Sequence, residues 1–328
     1  MSTFSKRYLT FEEQLGLLKS RGLQVTNDEI ALDYLRRIGY YHLSAYWYSY
    51  RQLPSPPISD QIEASTGRRD EFIANCSFQH VVELYVFDKR LRLLLLDALE
   101  RIEIAIRVDI AYLLGSRDPF AHSNPELLHG NFTKKLNRRT GKSEYAKWIE
   151  KYEQKEATSK EDFVRHYRAK YGFPLPIWVS VELWDFGMLS IFYQGMKITD
   201  KETIASKYLI PDFALLESWL RSLNFIRNVT AHHGRLWNKN LIDQPKLPRA
   251  GQVPSFDPLL SVPRIQSRLY VDLCIMIYLM KQICPNSTWV SRLRNLIQSF
   301  PADAVLDISD MGFPSNWQSH DFWNASEI

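Results

Sequence analysis

The sequence of 328 residues predicts an all-α protein, a bundle built on one long helix. Three observations carry this. From Ser77 to Leu114 the chain runs without Gly or Pro, and its apolar residues recur at three and four. Further segments share that period, with Thr, Asn or Asp before them and Gly or Pro after them. No strand, internal repeat or low-complexity tract stands out.

The elements follow in order. Residues 10 to 22 and 27 to 38 read as short helices, with Thr10 and Asn27 as N-caps and Gly22 and Gly39 as stops. "YYHLSAYWYSYR" comes next, at 40 to 51. Its Tyr40, Tyr41, Tyr46, Trp47 and Tyr48 either stack bases beside Arg51 or pack as core. "LPSPPISD" is a loop or hinge. The long helix, about 77 to 114, carries Leu84, Phe87, Leu91, Leu94, Leu95, Ala98, Ile102 and Ala105 on its apolar face; at about 1.5 Å per residue it exceeds ~50 Å. Residues from about 119 to 175 are more polar and form a helical, basic insert. A helical period resumes from Ile177 to Phe192. Asp212 opens another helix, and "QPKLPRAGQVPSFDP" is loop. A helix over 263 to 283 has Pro263 in its first turn and Pro285 beyond its end. A short helix near 287 to 299 leads into a Trp-rich tail. The expected organisation is an N-terminal helical and aromatic segment (1–52), a helical domain (70–300) containing the insert, and a tail (301–328) packed on that domain.

Composition narrows the class. Apolar residues make up 45% and charged residues 24%, so a packed core is expected. Cys76, Cys274 and Cys284 are scattered with no C-x-x-C pair, which argues against a disulfide framework or zinc knuckle and fits a reducing compartment. "MSTFSKRYLTFEEQ" lacks the apolar run of a secretory leader. The longest apolar run, near "LCIMIYLM", is far short of the ~20 residues of a membrane span. A cytoplasmic protein with no membrane partner is expected. Net charge is only +4, but residues 134 to 170 hold twelve Lys/Arg and six Asp/Glu, so the remainder is slightly acidic. Such a segment is either a solvated, salt-bridged surface or the footprint of a polyanion. Lys134, Lys135, Arg138, Arg139 and Lys142 are its candidates for phosphate contacts.

The chemistry concentrates in "FIRNVTAHHGRLW", residues 225 to 237. Wound as a helix from Asp212, Leu216, Trp219, Leu223, Ile226, Thr230 and His233 share one seam, which assigns His233 to packing. Asn224, Asn228 and His232 fall on a polar line beside it. Arg227 lies about 140° round from His232, within reach of a long side chain. Arg, Asn and His together suit metal-independent cleavage of RNA. An imidazole can take the 2′-hydroxyl proton or protonate the leaving oxygen. A guanidinium stabilises the extra charge of the transition state, and Asn orients the imidazole or phosphate. The products would be a 2′,3′-cyclic phosphate and a 5′-hydroxyl. The same residues also suit a salt bridge and helix-end caps. Adjacent histidines point apart on a helix, so no metal site is expected, and no cofactor. On the long helix, Glu103 either positions Arg227 or His232, or pairs with Arg107 at i, i+4.

"RNVTAHHGRLWN" matches the R-N-x3-H signature of HEPN ribonucleases, with Arg227, Asn228 and His232 at the motif positions. "AHHGRLWN" resembles the Abi-like abortive-infection family (the AbiD/AbiF group). So do "GYYHLSAYWY", "LRLLLLDALERIEIAIR", "LPIWVSVELWDFGMLS" and "MGFPSNW", so that the resemblance runs over essentially the whole chain. It implies a HEPN-type helical bundle in a phage-defence protein, a homodimer that joins two motifs into one ribonuclease site, and an RNA partner. Arg227, Asn228 and His232 would be catalytic, with His233, Glu103 and Arg235 in support. The alternative is a non-catalytic RNA-binding protein that assembles with a small non-coding RNA.

Overall fold

The computed structural model describes residues 7–54 and 67–324. Among these the protein is all-α, as the periodicity predicts. No strand forms, and β pairing is limited to isolated bridges such as Leu136 with Ser143. The described residues divide into two compact units. One holds those up to Leu91 together with Asn295–Asp310; the other holds Arg92–Arg294 and those from Met311 onward. The division runs through the long helix and through the C-terminal segment.

The first unit contains α1 (Phe11–Ser20), α2 (Asp28–Ile38), α3 (Tyr40–Trp47) and the first part of α4 (Phe78–Gly115). Thr10 and Glu13 form a reciprocal capping box on α1. Asn27 caps α2, and Gly39, at φ 89°, turns the chain out of it. The aromatic segment is largely core: Tyr46 and Trp47 are fully buried, and the Tyr46 hydroxyl donates to Asp88 at 2.7 Å. Those rings are therefore unavailable for stacking on bases, whereas Tyr41 is 91% exposed. The Pro/Ser-rich stretch falls mostly outside the described residues.

The second unit takes in the rest of α4 together with α5 (Gly130–Thr133), α6 (Glu144–Thr158), α7 (Asp162–Tyr171), α8 (Ile177–Ser180), α9 (Phe186–Gly195), α10 (Ile198–Lys207), α11 (Phe213–Ala231), α12 (Leu269–Ile283) and most of α13 (Trp289–Gln298). From Leu269 to Met280 every residue of α12 except Tyr278 is buried, so it is a core helix. Trp148 of α6, Trp184 and Phe192 of α9 form a ring cluster with centroids 4.6 to 4.9 Å apart. The tail from Met311 closes over Tyr270, which meets the Phe313 ring at 4.5 Å and shares a 2.8 Å hydrogen bond with His320.

Two helix boundaries differ from the sequence expectation. The period from Ile177 to Phe192 is not one helix: the chain extends at Trp184, and the Asp185 carboxylate caps a new helix by accepting from the Met188 N–H at 2.8 Å. A side chain that offers the backbone an acceptor has broken a run whose apolar spacing was continuous. Pro263 does not open a helix either. Arg264 takes a left-handed φ of 54°, and α12 starts only at Leu269.

Within the core, Asp272 of α12 faces Ser222 of α11, whose hydroxyl donates to Oδ1 at 2.5 Å. Oδ2 has no hydrogen-bond partner among the described residues. Burial pushes this carboxyl up to about 7, although the Ser222 bond and backbone bonding oppose the rise. The folded state therefore holds a proton that the unfolded chain releases near pH 4. This contribution to stability is complete below the unfolded value and is lost as pH rises towards 7. Urea unfolding should show wild type losing on the order of 1 kcal/mol per pH unit between about pH 5 and pH 7 relative to Asp272→Asn, whose profile is flatter. Parallel profiles would contradict it.

Candidate nucleic-acid site at the end of α11

Asp212 caps α11 by accepting from the Ala214 N–H at 2.8 Å. The helix then packs against α9, α10 and α12. Its seam of Leu216, Trp219, Leu223, Ile226 and Thr230 is buried. Thr230 closes the seam with its hydroxyl turned back onto the carbonyls of Ile226 and Arg227, at 3.0 and 2.8 Å.

The helix stops one residue later. The His233 N–H reaches the Thr230 carbonyl at 3.1 Å and the Gly234 N–H reaches that of Val229 at 2.9 Å. This is the Schellman pattern, and it requires a left-handed residue at His233, whose φ is 59°. His233 therefore does not continue the apolar seam: the chain reverses before the next turn could place it there, and both His232 and His233 are exposed. The segment beyond is pinned. Arg92 donates to the Gly234 carbonyl at 3.4 Å, and Leu236 and Trp237 are fully buried. The two imidazoles thus project from a turn anchored at both ends. Arg235 sits half-buried inside it.

Asn228 and His232 are exposed one helical turn apart on the same line of α11. Arg227 is half-buried beside them, with Nη1 at 3.5 Å from Asn228 Oδ1. On α4, Glu103 and Arg107 form the i, i+4 ion pair, and Arg107 also donates to the Trp184 carbonyl. Burial pushes the Glu103 carboxyl up, against the pull of Arg107 and then Arg227. Asp185 and Glu100 push it the same way as burial. Glu103 thus makes the intrahelical pair with Arg107 and also lies in the electrostatic field of Arg227.

Asp185 joins this cluster from the start of α9. Beyond its cap to Met188 it accepts from Lys151 and Lys155 of α6, each at 2.9 Å. Its own burial opposes ionisation, but the Lys151 bond, the Met188 N–H and Lys155 outweigh that and hold it at about 2. A side chain starting at Gly187 would meet Asp185 Oδ1 at 3.3 Å and Asn224 Oδ1 at 3.4 Å. The cap of α9 and the polar line of α11 are therefore neighbours. Arg107, Arg227, Lys151 and Lys155 outnumber Glu100, Glu103 and Asp185 by one, so the cluster is net cationic.

Lys134, Lys135, Arg138, Arg139 and Lys142 are all exposed, on a turn between α5 and α6 closed by the Asn137 N–H on the Lys142 carbonyl at 3.0 Å. Lys142 is engaged by Glu150 at 2.6 Å. Sequence reasoning missed Asp185, Lys151 and Lys155. Their signals were present: Asp one residue before an apolar helical run, and lysines at i, i+4 on α6. Among the described residues no group of three or more His, Cys, Asp or Glu could hold a metal ion.

The left-handed conformation costs His233 free energy that glycine would not lose. His233→Gly should raise the unfolding free energy by about 1 kcal/mol, and a β-branched residue there should lower it. Chemical denaturation measures both, and a destabilised glycine variant would show that the imidazole itself supports the turn.

A family model described as Abi-like protein matches residues 33–238, more than half of the chain. The match runs from the second half of α2 through the turn that carries His232 and His233; "MGFPSNW" lies beyond it. Searches of curated proteins and of solved structures found no match. Among the described residues no helix is long and apolar enough to cross a membrane. From the length of this match, the chain belongs to the Abi-like protein family.

Proposed function

We propose that this chain is a cytoplasmic phage-defence ribonuclease of the HEPN type that cuts RNA as a homodimer. Family membership points to abortive infection. The observation that carries the ribonuclease reading is the end of α11. There Asn228 and His232 face solvent on the last turn and C-cap of α11, with Arg227 half-buried beside them in a net cationic cluster.

His232 moves the proton, taking it from the 2′-hydroxyl or giving it to the leaving oxygen. Arg227 faces the phosphate and stabilises the charge that develops there. Glu103, through its field on Arg227 and its bond to Arg107, is a positioning residue. Asn228 accepts from Arg227 through Oδ1 at 3.5 Å and shares a helix line with His232. Cleavage uses both an acid and a base, so a second copy supplying a second His232 completes the site. Exposed Ile104, Val108 and Tyr112 form an apolar stripe on α4 next to Glu103 and Arg107, a face suited to self-association. The basic turn at Lys134 to Lys142 adds sequence-independent phosphate contacts.

Purified His232→Ala and Arg227→Ala should each lose RNA cleavage by about 100-fold or more, with EDTA leaving wild type active and His233→Gly retaining activity. The wild-type product should end in a 2′,3′-cyclic phosphate. If wild type binds RNA tightly and leaves it intact, with or without divalent metal, the non-catalytic RNA-binding reading replaces this one.

A further inference from the structure

Helix α6 places Lys147, Lys151 and Lys155 on one line. Lys147 folds back onto Glu144 at 2.7 Å, but Lys151 and Lys155 converge on a single atom, Asp185 Oδ2. Two ammonium groups share one carboxylate oxygen, so one positive charge is left over. The lysine side chains are 51% and 36% exposed, so both remain open to solvent. The carboxylate cannot follow them outward, because its other oxygen is held by the first turn of α9. A fixed carboxylate and two solvent-accessible lysines together resemble an anion site with its own internal anion.

That site adjoins the candidate centre. Gly187 presents no side chain between Asp185 and Asn224. From Asn224 the polar line continues through Asn228 to His232, at about 6 Å for each step of four residues. A strand lying along α11 with one phosphate at His232 would bring another, a few nucleotides away, to the lysine pair.

We infer that Lys151 and Lys155 form a second phosphate subsite for single-stranded RNA, and that Asp185 holds this subsite in the free protein. The inference rests on the RNA reading of the α11 centre. A bound phosphodiester adds to or displaces the Asp185 contact without any covalent step. Asp185 then has a defined effect on affinity: it lowers it, by competing for the same two ammonium groups.

The test is fluorescence anisotropy with a labelled, fully 2′-O-methylated oligouridine, which lacks the attacking hydroxyl and so reports binding alone. Titrations run over a series of salt concentrations. Lys151→Gln/Lys155→Gln should weaken binding and reduce the slope of log affinity against log salt by about 0.7 for each lysine removed. Lys151→Arg/Lys155→Arg should restore the slope. Asp185→Asn keeps the helix cap, since Asn caps as well as Asp, and should bind more tightly than wild type. A structural bridge between α6 and α9 would lower thermal stability in both variants and move neither slope nor affinity in these directions. If wild type binds and the Gln variant keeps the full slope, the subsite is overturned. Asp185→Asn binding no tighter than wild type also overturns it, and decides the matter if the Gln variant does not fold. If wild type fails to bind the oligouridine, the RNA reading itself falls and the subsite with it.

Discussion

A helix cannot end without satisfying its last carbonyls, and the way α11 ends governs the candidate site. Continuing the helix would have carried His233 onto the apolar seam. Instead the Gly234 and His233 N–H groups fold back onto Val229 and Thr230. This closes the helix at the cost of a left-handed histidine. Both imidazoles are thereby thrown into solvent, while buried Leu236 and Trp237 fix the chain just beyond them. Backbone hydrogen bonding, more than side-chain chemistry, decides which way the histidines face. The strain is stored in the segment where this chain places Arg227, Asn228 and two histidines.

Positive charge around that turn is partly offset by carboxylates that differ in setting. Glu103 is buried on α4, and its environment disfavours the ionised form in spite of two guanidinium groups. Asp185, also partly buried, is held ionised by two lysines and a helix N-terminus. One therefore tempers Arg107 and Arg227, while the other gathers Lys151 and Lys155. The break between α8 and α9 puts Asp185 at a helix N-terminus, where its bond from the Met188 N–H fixes the carboxylate that the lysines meet.

Much of the fold was legible in the chain. The capping signals at Thr10 and Asn27 and the long period behind α4 act within a few residues, and each produced the helix it predicts. The misreadings share one cause. A continuous apolar period across Ile177 to Phe192 and the promise of Pro263 were each overridden by local backbone choices, one a side-chain cap and the other a left-handed Arg264. Spacing alone does not register such choices. The aromatic run near Tyr46 was ambiguous for another reason: rings that pack and rings that stack on bases have the same composition, and only burial separates them.

The sequence by itself determined the helical class, the long helix and the spacing of Arg227, Asn228 and His232, because helix period and motif spacing are properties of neighbouring residues. It also set the Glu103–Arg107 pair, which needs only one helical turn. Tertiary structure decided what sequence distance hides. Arg227 came within the field of Glu103, Lys151 and Lys155 came onto Asp185, and Asn224 came beside Gly187. These partners lie on separate helices, and what joins them is the burial of the apolar faces behind them, a force without direction that fixes position only once the whole unit has packed.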